Sequence, residues 1–84
     1  MIHKCWYIYI VECSDGSLYT GITTDINRRL DEHNKGVGAK YTRNKRPVIL
    51  KALFEANSRS EASKEEYRIK KLGRVEKLEL CKKI

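Results

Sequence analysis

Apolar and polar positions along the chain fall into segments of different period. Trp6 to Cys13 is a run of aromatic and β-branched residues, and Ser14-Asp15-Gly16-Ser17 has the chemistry of a turn. Leu18 to Ile22 then resumes with Tyr and Thr, so the pattern predicts a β-hairpin. Ile26 and Leu30, one helical turn apart, follow Thr24 and Asp25, either of which can cap a helix, and Gly36 is placed to stop it. Residues 36–46 carry Gly36, Gly38, Tyr41, Thr42 and Asn44 with neither strand nor helix period, and are closed by Pro47; they read as a loop. Pro47 to Phe54 reads as a third strand. Ser58 with Glu61 has the form of a capping box, and Ala62, Ile69 and Leu72 continue a helical stripe to Gly73. A last helix, about Arg74 to Lys82, is expected to turn Val75, Leu78 and Cys81 inward. The expected architecture is one α/β (α+β) domain over residues 1–84, a three-stranded sheet flanked by helices in the order ββαβαα.

Which side chains share a sheet face depends on the turn. A two-residue turn at Asp15-Gly16 sets Glu12 opposite Tyr19 and sends Tyr9 and Tyr19 to different faces. A three-residue loop, Ser14-Asp15-Gly16 with Gly16 left-handed, sets Val11 opposite Tyr19 and Tyr9 opposite Gly21, so that both phenols share a face. The sequence admits either. On the first helix, Ile26, Leu30 and His33 lie within about 60° of one another at about 100° per residue, so His33 points into the fold. Arg29 falls on the edge of the same stripe and Arg28 points away. A histidine on an apolar face is most often a packed core residue, a flanking arginine most often lies along the surface, and strand tyrosines are most often packing. Their convergence on one face is what makes them candidates for chemistry.

Length and composition narrow the class. At 84 residues the chain is one domain. Its longest apolar run, Cys5 to Val11, is seven residues, far short of the roughly 20 that span a bilayer, and Met1-Ile2-His3-Lys4 is not followed by a signal-length apolar region. No membrane association is expected. Cys5, Cys13 and Cys81 are an odd number without metal-ligand spacing, which suits a reducing, cytoplasmic setting. Eighteen Lys and Arg against 11 Asp and Glu leave a net charge of +7, and such an excess points to a polyanionic partner. The excess is concentrated: no acidic residue lies between Glu32 and Glu55, while Lys35, Lys40, Arg43, Lys45, Arg46 and Lys51 do. The first five are candidate phosphate contacts; the plain alternative is a solvated loop kept soluble by charge.

Tyr7-Ile8-Tyr9, ten residues before Tyr19-Thr20-Gly21 and followed by Asp25, Arg29 and His33, resembles the GIY-YIG nuclease family. The resemblance runs on through Gly36 to Pro47 and through Ser58-Arg59-Ser60-Glu61-Ala62 to Ile69-Lys70-Lys71-Leu72, and looks most like the small standalone bacterial members. It implies a GIY-YIG endonuclease-like fold and a metal-dependent phosphodiesterase acting on nucleic acid, DNA foremost. It further implies that Tyr9 and Tyr19 are paired phenols, one of which helps to activate or orient the attacking water, and that Arg29 contacts the scissile phosphate. His33 would share in proton transfer, and Glu66 would bind Mg²⁺ (or Mn²⁺). By helical angle alone Glu65 lies nearer the Ala62-Ile69-Leu72 stripe than Glu66 does, and the plain alternative for either is an ordinary surface acid paired with Lys70; alignment with the family favours Glu66. Tyr7 stands where the family's first motif opens with glycine, and Ile22 where some repair-type relatives carry a lysine. The alternative reading is a nucleic-acid-binding module that keeps the nuclease fold with little or no cleavage. A domain of this size leaves substrate choice to nucleic-acid shape or to a protein partner that supplies specificity.

Overall fold

The computed structural model describes residues 5–82. Its elements are β1 (Trp6–Glu12), β2 (Leu18–Thr23), α1 (Ile26–Asn34), β3 (Ile49–Ala56), α2 (Arg59–Lys70) and α3 (Arg74–Lys82), in the expected ββαβαα order. The strands make one antiparallel sheet in the order β2-β1-β3. The central place of β1 accounts for its unbroken apolar run, since both faces of a central strand are covered.

β1 and β2 are joined by a three-residue loop. Gly16 has φ +85°, its N–H donates to the Cys13 carbonyl at 2.9 Å, and the Cys13 N–H donates to the Ser17 carbonyl at 2.8 Å. The Asp15 carboxylate accepts from the Ser17 N–H at 3.0 Å and from its hydroxyl at 2.6 Å, stiffening the turn. Val11 is thereby set opposite Tyr19 and Tyr9 opposite Gly21. Of the two registers open to the sequence, this is the one that puts both phenols on one face.

The third strand begins later than its pattern suggests. Pro47 has no N–H to give, and the N–H of Val48 is taken by the Asn34 side chain at 2.8 Å, so pairing starts at Ile49 and runs on to Ala56, opposite Trp6. A register shift at Ile10/Val11 pairs Ile10 with Ala52 but Val11 with Leu50, leaving Lys51 as the extra residue of a bulge. The bulge lets Leu50 and Leu53, an odd number of residues apart, lie on the same face.

Two cores result. Ile8, Ile10 and Ala52 pack with Ala62 and Ile69 of α2 and with Leu80 and Cys81 of α3. On the other face Tyr9, Val11, Cys13 and Val48 pack with Tyr19, Leu50, Leu53 and Ile26 and Leu30 of α1. Both capped helices start as read: Asp25 accepts from the Arg28 N–H at 3.1 Å and Ser58 from the Glu61 N–H at 3.2 Å. The Glu61 carboxylate reaches back to the Asn57 N–H at 3.1 Å, one residue before the cap. The expectation for α3 is corrected in one respect. Val75 is 72% exposed rather than inward, because this short helix meets the sheet through its last turn, at Leu80 and Cys81.

Candidate active site

The site is built on the α1 face around a buried phenol. Tyr9, on the central strand, is fully buried, and its ring lies over Gly21 of β2, where a Cβ would come within 2.6 Å of the ring carbon that bears the hydroxyl. The Tyr9 oxygen accepts from Arg29 Nε at 3.2 Å and lies 2.8 Å from His33 Nε2. Helix geometry explains the convergence, since Arg29 and His33 are one turn apart on α1 and stand one above the other. Arg29 Nη1 also bonds Glu32 at 3.1 Å. His33, with no exposed surface, has Nδ1 at 2.7 Å from the Thr42 hydroxyl, which donates in turn to the Ala39 carbonyl at 3.1 Å. Burial pushes the Tyr9 phenol above its ordinary range, against the Arg29 hydrogen bond and charge, and the nearby Tyr19 and Glu66 add to the rise. Burial, and then the Arg29 charge, push His33 down over the opposing pull of Glu32. The imidazole is therefore neutral at physiological pH.

Tyr19 forms the outer half of the site. It is half-buried and meets its neighbours through its ring: Tyr9 at 6.4 Å between centroids, His33 edge-on at 5.5 Å, and Tyr41 stacked at 5.6 Å with 24° between the planes. Lys45 Nζ lies 3.8 Å from the Tyr41 ring centroid and 3.6 Å from the Asp15 carboxylate. Although α2 packs on the opposite sheet face, Lys70 Nζ reaches within 5.8 Å of the Tyr19 ring centroid, coming round β2, the edge strand. Lys70 is paired with Glu66 at 3.3 Å.

Tyr9, Tyr19, Arg29 and His33 are thus brought together, with Glu66 at the rim. Periodicity had set Glu65 nearer the buried stripe, yet its side chain is 47% exposed and tied to Arg68 at 2.7 Å, whereas that of Glu66 is 23% exposed and shares Lys70 with Tyr19. The basic candidates divide. Lys35 is paired with Asp31 at 2.8 Å, Lys45 is committed to Asp15 and Tyr41, and Arg46 donates to the Arg43 carbonyl at 2.9 Å and the Asn34 carbonyl at 3.4 Å. Lys40 and Arg43 are exposed and make no ion pair among the described residues. Thr42 and Tyr41 escaped sequence reasoning, which read Lys70 only as the partner of a surface acid. The one available signal was an aromatic next to a β-branched residue, Tyr41-Thr42, inside an otherwise polar, basic stretch.

Among the described residues no group of three or more His, Cys, Asp or Glu is arranged to hold a metal ion. The donor chemistry still suits Mg²⁺, which is commonly held by one or two carboxylates together with waters and substrate phosphate oxygens. Glu66 offers one such carboxylate beside the phenols.

The family model described as the GIY-YIG catalytic domain matches residues 5–79. The chain belongs to the GIY-YIG family. This is a nuclease family, and the two motifs behind its name, here Tyr7-Ile8-Tyr9 and Tyr19-Thr20-Gly21, lie on the two strands of the hairpin and meet at the Tyr9–Gly21 pair. The chain is 55% identical to a UPF0213 protein of Halobacterium salinarum over 71 residues, covering 84% of this chain and 92% of that one. It is also 55% identical to a UPF0213 protein of Desulfotalea psychrophila over 78 residues, covering 92% and 71%. Two solution NMR structures are similar to this chain in fold. The UPF0213 protein of Bacillus halodurans has a TM-score of 0.58 at 49% identity, covering 90% of this chain and 81% of that one. A protein of E. faecalis has a TM-score of 0.65 at 48% identity, covering 95% and 85%. Among the described residues no helix is long and apolar enough to cross a membrane.

Proposed function

We propose that this GIY-YIG chain is a divalent-metal-dependent endonuclease that hydrolyses phosphodiester bonds in DNA or another nucleic acid. The observation that carries the reading is the Tyr9–Arg29 hydrogen bond on the face shared with half-exposed Tyr19, because it aims a guanidinium where charge would grow on a phosphate. With Nε held by Tyr9 and Nη1 bonded to Glu32, the remaining N–H groups of Arg29 stabilise the phosphoryl oxygens as water adds to phosphorus and the bond to the leaving sugar oxygen breaks. The two phenols divide the work. Tyr19, at the surface, accepts a hydrogen bond from the attacking water and orients it; Tyr9, inside, fixes Arg29 and donates its hydroxyl hydrogen bond to His33. Glu66 would hold the divalent ion, Mg²⁺ or Mn²⁺, which supplies further positive charge at the phosphate. Lys40 and Arg43 give phosphate contacts outside the scissile bond.

One observation favours a second reading. Glu66 already has a cation, Lys70, at 3.3 Å, as suits a module that binds nucleic acid through the same face and does not cut. The protein incubated with flapped, branched, nicked and single-stranded DNA, with Mg²⁺ or Mn²⁺ or with EDTA, separates the two. A nuclease cuts at least one substrate only with metal, and Arg29→Ala or Glu66→Gln lowers the rate by at least about 10²–10³ while leaving affinity within a few-fold. Binding without cleavage on every substrate and with either metal overturns the proposal in favour of the binding module.

A further inference from the structure

The loop between α1 and β3, which composition marks as a basic surface segment, carries one side chain with no exposed surface, Thr42. Its place in the hydrogen-bond chain fixes the direction of every proton in it. Arginine can only donate, so the Tyr9 oxygen accepts from Arg29 Nε at 3.2 Å. At the other end the Ala39 carbonyl can only accept, so the single Thr42 hydroxyl proton goes to it, at 3.1 Å. Thr42 Oγ1 can then meet His33 Nδ1, at 2.7 Å, only as an acceptor, which puts the imidazole proton on Nδ1. In a neutral ring the remaining nitrogen, Nε2, is a bare acceptor, and it lies 2.8 Å from the Tyr9 hydroxyl, whose proton is still unassigned. Each donor then has one acceptor: Arg29 to Tyr9, Tyr9 to His33, His33 to Thr42, Thr42 to Ala39.

The opposite tautomer breaks the chain twice. With the proton on Nε2, the Tyr9 oxygen would accept from both His33 and Arg29, and its own proton would have no partner inside a side chain that water does not reach. Thr42 would have to turn its proton to Nδ1 and abandon the Ala39 carbonyl. A doubly protonated ring also leaves the Tyr9 proton stranded, and burial with the neighbouring Arg29 charge disfavours it.

We infer that Thr42 is a positioning residue of this site: its hydroxyl locks His33 in the neutral Nδ1–H tautomer, so that Nε2 accepts the Tyr9 hydrogen bond and leaves the Tyr9 oxygen free to hold Arg29. The basic loop thus does more than attract phosphate. It sets, three residues away in the hydrogen-bond chain, where the guanidinium points.

The tautomer assignment stands apart from cleavage, while its kinetic consequence rests on the nuclease reading above. The experiment uses the protein labelled with ¹⁵N, and wild type is compared with Thr42→Val and Thr42→Ser. Long-range ¹H–¹⁵N spectra near neutral pH report which His33 nitrogen carries the proton. Wild type and Thr42→Ser should show a protonated Nδ1 and a bare Nε2; Thr42→Val should move His33 toward the Nε2–H form. In single-turnover cleavage, Thr42→Val should lose about 10–100-fold in rate with DNA affinity within about twofold, and Thr42→Ser should recover to within about threefold of wild type. A wild-type His33 protonated on Nε2 overturns the inference, whether or not the valine variant folds. So does an unchanged tautomer in a folded Thr42→Val protein. If wild type cuts nothing, the nuclease reading fails, and the spectra alone decide the assignment of Thr42.

Discussion

Two phenylalanine substitutions separate the inner phenol from the outer one. Tyr9→Phe deletes a hydroxyl held between Arg29 Nε at 3.2 Å and His33 Nε2 at 2.8 Å, at a residue with no exposed surface. No water can take its place without repacking, so the His33 lone pair is left buried and unmatched, a loss of about 1–3 kcal/mol. In a domain of this length each kcal/mol moves Tm by about 4–8 °C, so a loss of about 2 kcal/mol lowers Tm by roughly 8–16 °C. Tyr19→Phe removes a hydroxyl from a half-exposed ring that keeps its contacts with Tyr9, His33 and Tyr41. Such a change stays within about 0.5 kcal/mol, under about 4 °C, yet should cost about 10²–10⁴ in cleavage rate if Tyr19 orients the water and helps it lose its proton. Thermal melts by circular dichroism, paired with single-turnover cleavage, read both quantities. Equal losses of Tm in the two variants, or a Tyr9→Phe protein as stable as wild type, would refute the division into inner and outer phenols.

The structure carries two further expectations. Because Lys40 and Arg43 make no ion pair among the described residues while Lys35 is held by Asp31 at 2.8 Å, a Lys40→Ala/Arg43→Ala double variant should lose about 0.9 from the slope of log K against log salt for each phosphate contact removed, and Lys35→Ala should lose less; a slope that does not change would take the loop out of the interface. His33 is depressed in the folded state, so its stabilising contribution is complete above its unfolded pKa of about 6.5 and is lost as pH falls toward the folded value, at no more than about 1.4 kcal/mol per pH unit. Urea titrations from pH 8 to pH 5 should show the advantage of wild type over His33→Gln shrinking below about pH 6.5, and a constant advantage contradicts a buried neutral imidazole.

Local pattern carried most of the fold. The hairpin, the caps at Asp25 and Ser58 and the inward side of α1 are consequences of residues close in sequence, and they stand where the pattern put them. What escaped it depends on partners far along the chain. Whether Ser14-Asp15-Gly16 makes two or three turn residues is not decided by turn chemistry, which suits both. The start of β3 was missed because Asn34, fourteen residues upstream, takes the Val48 N–H. The spacing of Leu50 and Leu53 does not alternate because Lys51 is bulged. At the site, Arg29 and His33 were legible from helix angle, whereas Glu66 was obscured because the Tyr19 ring, which shares Lys70 with it, belongs to another element and is not represented in a helical wheel. Thr42 and Tyr41 were hidden for a related reason: a loop has no period, so nothing local says that Thr42 turns inward or that the exposed Tyr41 stacks on Tyr19.

The lack of a side chain at Gly21 changes what this hairpin can tolerate. Surface loops are ordinarily open to insertion and deletion at little cost. Here the glycine of one strand is the seat of the phenol from the other, and a slip of one residue would bring the branched side chain of Ile22 opposite Tyr9 in its place and carry Tyr19 through to the far side of the sheet. The two tripeptides are therefore a single fitted object divided between two strands. The ten-residue interval between the tyrosines acts as its gauge, so the turn at Ser14-Asp15-Gly16 is held to length by a ring and a gap that lie well away from it.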